Sequence, residues 1–436
     1  KSNLKSYNLS DLSAEKIKLD VPDIDYREYT LDNGLKVVLS KHGNIPMAAV
    51  NTTFHVGSKD EDEDKTGLAH LFEHLMFDGS PNVPKGKFDE ILMSFGGDSN
   101  AYTSWDSTSY YMTLPLSHIE TGLWLDSDRI HGFGITEESL RIQKDVVLEE
   151  KLLYTDNSPY GSVEEESSKR LFRLSGYKWP IIGNMDDLRK VTMEDLREFF
   201  GKFYTPENAV ISIVGELDYD RTIKLVDKYY GDIKPGRGVV RRKFEEEDIF
   251  EEIAENFYDN IQLDGKFIFY RLPEAGTKDY YAANILTGIL SEGDSSRFYK
   301  VLEYDNELVN ECDTNLYGME QTSIFCISAL AMSGKDLGEI QTKIDEVLDD
   351  IKSGNISDSE IIKIKNKIET YYNSKRSSIV SLSDKFSYLK TFHGSCDKIN
   401  FEIIDFLSIT KEDIVNAAKK YLNKNQRVVL NYYPNK

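Results

Sequence analysis

Gly67-Leu68-Ala69-His70-Leu71-Phe72-Glu73-His74-Leu75 is the stretch from which the rest of the chain is read. His70 and His74 stand one helical turn apart and Glu73 lies between them, so one helix face carries two imidazoles and a carboxylate. Neutral imidazoles at that spacing can grip one Zn²⁺, and a Glu beside them can take a proton from an attacking water. The order His-x-x-Glu-His inverts the commoner zinc-protease order. Leu68, Leu71, Phe72 and Leu75 form an apolar stripe, and His70, Glu73, His74 and Phe77 form the stripe beside it. Neither stripe suits a solvent face, so the helix is expected between a sheet and another layer. A buried Glu beside two buried His needs an ionic partner, and a metal is the simplest one.

Upstream, Tyr26 to Leu31 and Leu35 to Ser40 flank Asp32-Asn33-Gly34, a hairpin signal. A strand-like stretch follows from Pro46 to Val56, and the charged run Lys59 to Lys65 forms a loop before the helix. Downstream, a helix after Pro84 carries Phe88, Ile91 and Leu92. Two strands, at Ser99 to Ser104 and Tyr110 to Leu114, join through Trp105-Asp106. Helices are expected at about 117–131 and 137–155.

The chain repeats itself. Val191-Thr192-Met193-Glu194-Asp195-Leu196 matches Ile409-Thr410-Lys411-Glu412-Asp413-Ile414 at an offset of 218 (409 − 191), half of 436. Each copy has a Thr-x-x-Asp helix start and runs to a Tyr, an Asn and a β-branched strand. The domain reading is an N-terminal extension at 1–25, a domain with the metal motif at 26–238, an acidic linker at 239–260 and a domain without the motif at 261–436.

Composition is that of a globular protein, 40% hydrophobic and 29% charged, with no apolar run long enough to span a bilayer. A net charge of −22 makes nucleic acid and anionic membrane surfaces poor partners and basic or neutral peptides better ones. Cys312 and Cys326 are symmetric about Met319 in an expected hairpin, within bridging reach across two strands, although two small buried side chains is the preferred reading. Cys396 is left over.

A hydrolytic zinc takes three protein ligands and keeps one position open. The helix supplies two. Glu149 and Glu150 are candidates for the third, and periodicity does not choose between them.

Gly57, Gly67, Ala69, His70, Glu73, His74, Phe77, Gly79 and Ser80 stand as in the signature of the M16 (pitrilysin-like) metallopeptidases, which the chain resembles over nearly its whole length. Asn100-Ala101-Tyr102-Thr103, Pro159-Tyr160-Gly161, Ile182-Gly183 and Tyr204 to Val210 are similar to further landmarks of that family. The chain is most similar to its short bacterial members and to the mitochondrial processing peptidase β-subunit. The resemblance implies an α+β fold of two homologous halves, each a mostly antiparallel sheet packed with helices (the LuxS/MPP-like metallohydrolase fold). It implies one Zn²⁺ per chain held by His70, His74 and Glu150, with Glu73 as the base that also protonates the leaving amine. It implies a closed chamber in which a peptide or unfolded segment adds as a strand along Asn100, Ala101, Tyr102 and Thr103.

Two departures qualify that picture. Gln143 stands seven residues before Glu150, where many relatives have Glu; it shares the ligand's helix face but carries no charge. Glu303 and Asn310 stand where complete members carry an Arg and a Tyr that reach across to the substrate. The expectation is therefore the zinc-bearing subunit of a heterodimer, with a homologous partner that lacks the motif and supplies Arg and Tyr. The alternative is a non-catalytic zinc-binding scaffold or peptide-binding subunit. Glu164-Glu165-Glu166 reads as a solvated helix face, or else as a selector of basic side chains near the cut. The opening Lys-Ser-Asn, the acidic charge and the resemblance to secreted members point to the periplasm or the exterior, with the cytoplasm as the alternative.

Overall fold

The computed structural model describes residues 23–435, so most of the segment read as an N-terminal extension lies outside the described residues. Asp32-Asn33-Gly34 turns β1 (Arg27–Thr30) into β2 (Lys36–Lys41), with Gly34 at φ 89°, a conformation that glycine adopts without a Cβ clash. β3 (Met47–Phe54), β4 (Asp98–Thr103), β5 (Thr108–Pro115) and β6 (Ala209–Gly215) complete the first sheet in the order β1-β2-β6-β3-β5-β4. Only the β2–β6 pairing is parallel. β4 pairs with β5 alone and leaves the sheet with an open edge.

The second half builds β7 (Ile253–Asp259), β8 (Gly265–Leu272), β9 (Val309–Gly318), β10 (Ser323–Ala331) and β11 (Arg427–Pro434) into the order β7-β11-β8-β10-β9. Only β7–β11 is parallel. Taken in chain order, β2 to β6 and β7 to β11 form the same sheet, and β1 has no counterpart. The α+β architecture of two related halves is therefore built strand by strand. β7 lies inside the stretch read as linker. It is an edge strand whose Glu255, Asn256 and Tyr258 stay exposed, so its hydropathy resembles that of a loop.

The matching helix starts hold in both copies. Thr192 caps the Met193–Phe203 helix and Thr410 caps the Lys411–Tyr421 helix. Each accepts from the third residue's N–H, while Asp195 or Asp413 reaches back to the cap.

Each sheet buries one face under helices of its own half, giving two large cores. The opposite faces are covered reciprocally. The Val163–Leu171 helix of the first half packs on β11 and β8, where Leu171 and Phe172 meet Val428, Leu430 and Tyr432. The Ile379–His393 helix of the second half packs on β6 and β3, where Leu382, Phe386 and Leu389 meet Val38, Val210 and Val214. Burying such a side chain contributes roughly 1.5–3 kcal/mol, so each exchanged helix ties the halves together by several kcal/mol. The β9–β10 turn adds a polar tie. Glu320 at its tip meets Lys59 at 2.9 Å and the His55 ring at 3.0 Å, and its N–H donates to Asp106 at 2.9 Å.

The cysteines do not face each other. The β9–β10 register pairs Cys326 with Asn315 and Cys312 with Ala329. The turn centres beyond Met319, and the resulting odd shift sends the two thiols to opposite faces of the sheet, Cys312 to one core and Cys326 to the other. All three cysteines are free and buried.

Candidate metal centre

The motif helix spans Leu68–Leu75 and starts from Gly67 at φ 90°. A side chain at Gly67 would be strained by that φ and would meet the Ile182 carbonyl 2.7 Å from its Cβ. The helix N-terminus is closed by Glu61, whose carboxylate accepts from Gly67 N–H at 2.8 Å and Ala69 N–H at 2.7 Å. Leu68, Ala69, Leu71, Phe72 and Leu75 face the core, which fixes the other stripe toward the Glu137–Lys151 helix.

From that second helix Glu150 meets His74 Nε2 at 3.3 Å and His70 Nε2 at 3.9 Å. The three donor atoms lie within 4.8 Å of one another. Glu149 points out to solvent and takes no part. The hydrogen bond with His74 holds the Glu150 carboxyl below its ordinary value, and among the described residues it pairs with no Lys or Arg. Burial, and then the neighbouring His74, push the His70 imidazole down to about 4, so it is neutral at pH 7 with a lone pair to donate. Two imidazole nitrogens and one carboxylate oxygen, converging without a protein cation, fit a hydrolytic zinc site.

Glu73 lies beside this triad. Its carboxylate accepts from the Thr103 hydroxyl at 2.6 Å. Burial raises its pKa, against that hydrogen bond, which moves a carboxyl toward the range of a general base. Thr103 belongs to β4, so the open sheet edge runs directly past the candidate base. Ala101 packs on the same side, against the core. Asn100 and Tyr102 point the other way and are exposed, and the Tyr102 hydroxyl donates to Asp384 on the exchanged helix of the other half. Gln143 donates to Asp78 at 3.2 Å, and no hydrogen bond among the described residues joins it to His70, His74 or Glu150.

The acidic trio is divided. Glu165 is ion-paired with Lys151 at 3.2 Å and Lys169 at 2.6 Å, and Glu166 with Arg170 at 2.6 Å, so neither is a free selector of basic side chains. Glu61 and Asp384 escaped the sequence reading, as did the bond from Thr103 to Glu73. Glu61 sits in a charged loop with no pattern to single it out. The bond from Thr103 to Glu73 and the one from Tyr102 to Asp384 join residues 30 and 282 positions apart.

Residues 36–184 match the family described as Insulinase (Peptidase family M16), and residues 190–368 match its Peptidase M16 inactive domain. The chain is 27% identical over 408 residues to the zinc protease PqqE of Helicobacter pylori, covering 92% of this chain and 91% of that protein. The crystal structure of a protease from Helicobacter pylori aligns at a TM-score of 0.89 and 26% identity, covering 94% of this chain and all of that one. The periplasmic protease PqqL from Escherichia coli shares the fold at a TM-score of 0.77 and 17% identity. There 95% of this chain covers 48% of the longer one.

Proposed function

The chain belongs to the M16 peptidase family, and on that premise we propose that it is a zinc-dependent endopeptidase that cleaves peptides or unfolded segments. The convergence of His70, His74 and Glu150 beside Glu73, at the end of an open strand edge, carries the reading. These three residues would hold the zinc. When bound, the ion supplies Lewis acidity toward the peptide carbonyl and lowers the pKa of water at the site. A peptide adds to β4 by main-chain hydrogen bonds, so its sequence is read through side chains and its backbone is fixed by the edge. Glu73 takes the proton from the attacking water and returns it to the leaving amine, and the Thr103 hydroxyl holds the carboxylate toward the edge.

The active form is a heterodimer in this reading. Glu303 lies in a short helical turn, Tyr299–Tyr304, and Asn310 lies at the exposed start of β9. Burial, and then the Asp313 charge, raise the Glu303 carboxyl, and a hydrogen bond with Asp313 raises that of Glu311, so acid stands where complete relatives place a cation. A partner with the same fold and an Arg/Tyr pair would complete the chamber. The chain's match to about half of the periplasmic protease PqqL is consistent with one half of such an assembly and with a periplasmic or extracellular setting.

The test is cleavage of a mixed peptide library by the zinc-loaded chain, read by mass spectrometry. It is run alone and with a homologous partner chain, with Glu73→Gln as control. Cuts that require the partner and vanish with Glu73→Gln are expected. Cuts by the chain alone overturn the heterodimer. No cuts in either arm, with zinc bound, overturn the peptidase reading.

A further inference from the structure

A cavity of about 750 Å³ lies in the metal-free half, walled by helices of that half and rimmed by Tyr102 of β4 and Gly318 of β9. Its place in the duplication is specific. The buried positions Leu68, Ala69, Leu71, Phe72 and Leu75 of the motif helix recur as Ala282, Ala283, Ile285, Leu286 and Ile289 in the Lys278–Ser291 helix, at a shift of 214 (282 − 68). That shift puts Asn284, Thr287 and Gly288 where His70, Glu73 and His74 stand, and all three line the cavity. Ile364, from the Asp358–Arg376 helix, packs where a ligand from a second helix would stand: a Cβ on Gly288 would lie 2.8 Å from the Ile364 side chain. The cavity is therefore the second half's counterpart of the metal site, with ligands and base replaced by groups that neither coordinate nor move a proton.

The space has its own chemistry. Tyr102, Tyr280, Tyr371, Tyr372 and Tyr388 line it with ring faces and hydroxyls. Its carboxylates are already engaged. Glu292 pairs with Lys367 at 2.8 Å, Glu402 pairs with Lys385 at 2.6 Å, and Asp384 accepts from Tyr102. Lys375 also lines it, lies 5.3 Å from the centre of the Tyr371 ring, and forms no ion pair among the described residues. An ammonium set among tyrosines, with no ion pair at contact distance among the described residues and its charge acting on Asp384 only at longer range, attracts a carboxylate locally against the overall net charge of −22. The strand edge links the two sites. Thr103 faces Glu73 and its neighbour Tyr102 faces the cavity, because successive side chains of a strand point to opposite faces. A peptide strand beside β4 divides its side chains in the same way.

We propose that this cavity is a second, non-hydrolytic binding site for the same peptide, receiving a carboxylate beside Lys375 from the residue next to the one that faces Glu73. The carboxylate is that of an Asp or Glu side chain or of a free C-terminus. The proposal rests on β4 as the substrate edge.

The experiment is fluorescence anisotropy of labelled peptides on the zinc-loaded Glu73→Gln protein, which binds without cutting. Each acidic peptide is compared with its Asn or Gln isostere, and each free C-terminus with its amide, so the two sources separate. Tighter binding of the carboxylate form, lost by about tenfold in Lys375→Glu and weakened in Tyr371→Ala, is expected. Both residues are exposed, so the variants fold, and an unchanged melting temperature verifies this. Equal affinity for acids and isosteres, or a preference that survives Lys375→Glu, overturns the cavity. If the wild-type protein, together with the homologous partner chain, still cleaves neutral peptides in that case, the peptidase reading stands while the cavity falls. A protein that binds no peptide, and cleaves none even with the homologous partner chain, overturns both.

Discussion

Two helices placed alike in the two halves have opposite chemistry. The Leu68–Leu75 helix turns His70, Glu73 and His74 toward Glu150. The Lys278–Ser291 helix buries the corresponding apolar positions but turns Asn284, Thr287 and Gly288 toward the cavity, with Ile364 against Gly288. The edge strands follow the same division. The hairpin registers pair Asn100 with Tyr111 and Asn315 with Cys326, which places Asn100-Ala101-Tyr102-Thr103 opposite Asn315-Leu316-Tyr317-Gly318 in the duplication. The Asn and Tyr are kept, whereas Thr103, which touches Glu73, is matched by Gly318. Tyr102 donates to Asp384 on one exchanged helix. Burial, Cys326 and then Glu164 on the other exchanged helix raise the phenol pKa of Tyr317. The scaffold is shared, and the proposed chemistry rests on a few polar side chains of one copy, whose counterparts in the other differ above the same apolar packing.

That comparison can be broken at several strengths. The largest effect is expected at Glu73. Glu73→Gln should lower peptide cleavage by about 10³-fold while zinc content, read by elemental analysis, stays at one per chain. Retained cleavage would remove the distinction between the halves. His74→Ala should instead abolish zinc binding in the same assay and leave the fold intact.

The tie between the halves comes next. At Glu320 desolvation opposes ionisation, but the His55 hydrogen bond and the buried Lys59 charge overcome it and hold the carboxyl at about 2, against an ordinary value of 4.5. A depressed folded value stabilises the protein above about pH 4.5, and the contribution is lost as pH falls through about 2. The loss is on the order of 2–3 kcal/mol. Denaturant unfolding between pH 5 and pH 2 should show this acid sensitivity, and Glu320→Gln should reduce it. An unchanged profile would mean that the turn does not join the halves.

Gly288→Ala sharpens the contrast at His74's counterpart. The added methyl meets Ile364, and overpacking should cost roughly 1–3 kcal/mol. A neutral result would show room for a larger side chain there. The smallest effects test likeness. Thr192→Ala and Thr410→Ala each remove the same cap and should each cost about 1 kcal/mol in unfolding free energy. Clearly unequal losses would mean that the two copies no longer bear the same load.

The sequence by itself determined the local elements. Asp32-Asn33-Gly34 demands a turn, Thr192 and Thr410 start matching helices, and the spacing of His70, Glu73 and His74 sets them on one face. These are properties of neighbours within a few residues, where backbone geometry alone fixes who meets whom. Tertiary structure decided the rest. It brought Glu150 rather than Glu149 against His70 and His74, because helix rotation depends on what the opposite face buries. It turned Cys312 and Cys326 to opposite faces by centring the turn between residues 320 and 321 and not at Met319. It made a strand of residues 253–259 inside the stretch read as an acidic linker, because an edge needs little apolar surface. It exchanged one helix between the halves and joined Tyr102 to Asp384. Contacts between residues hundreds of positions apart follow from which surfaces are buried together, and no local spacing encodes that choice.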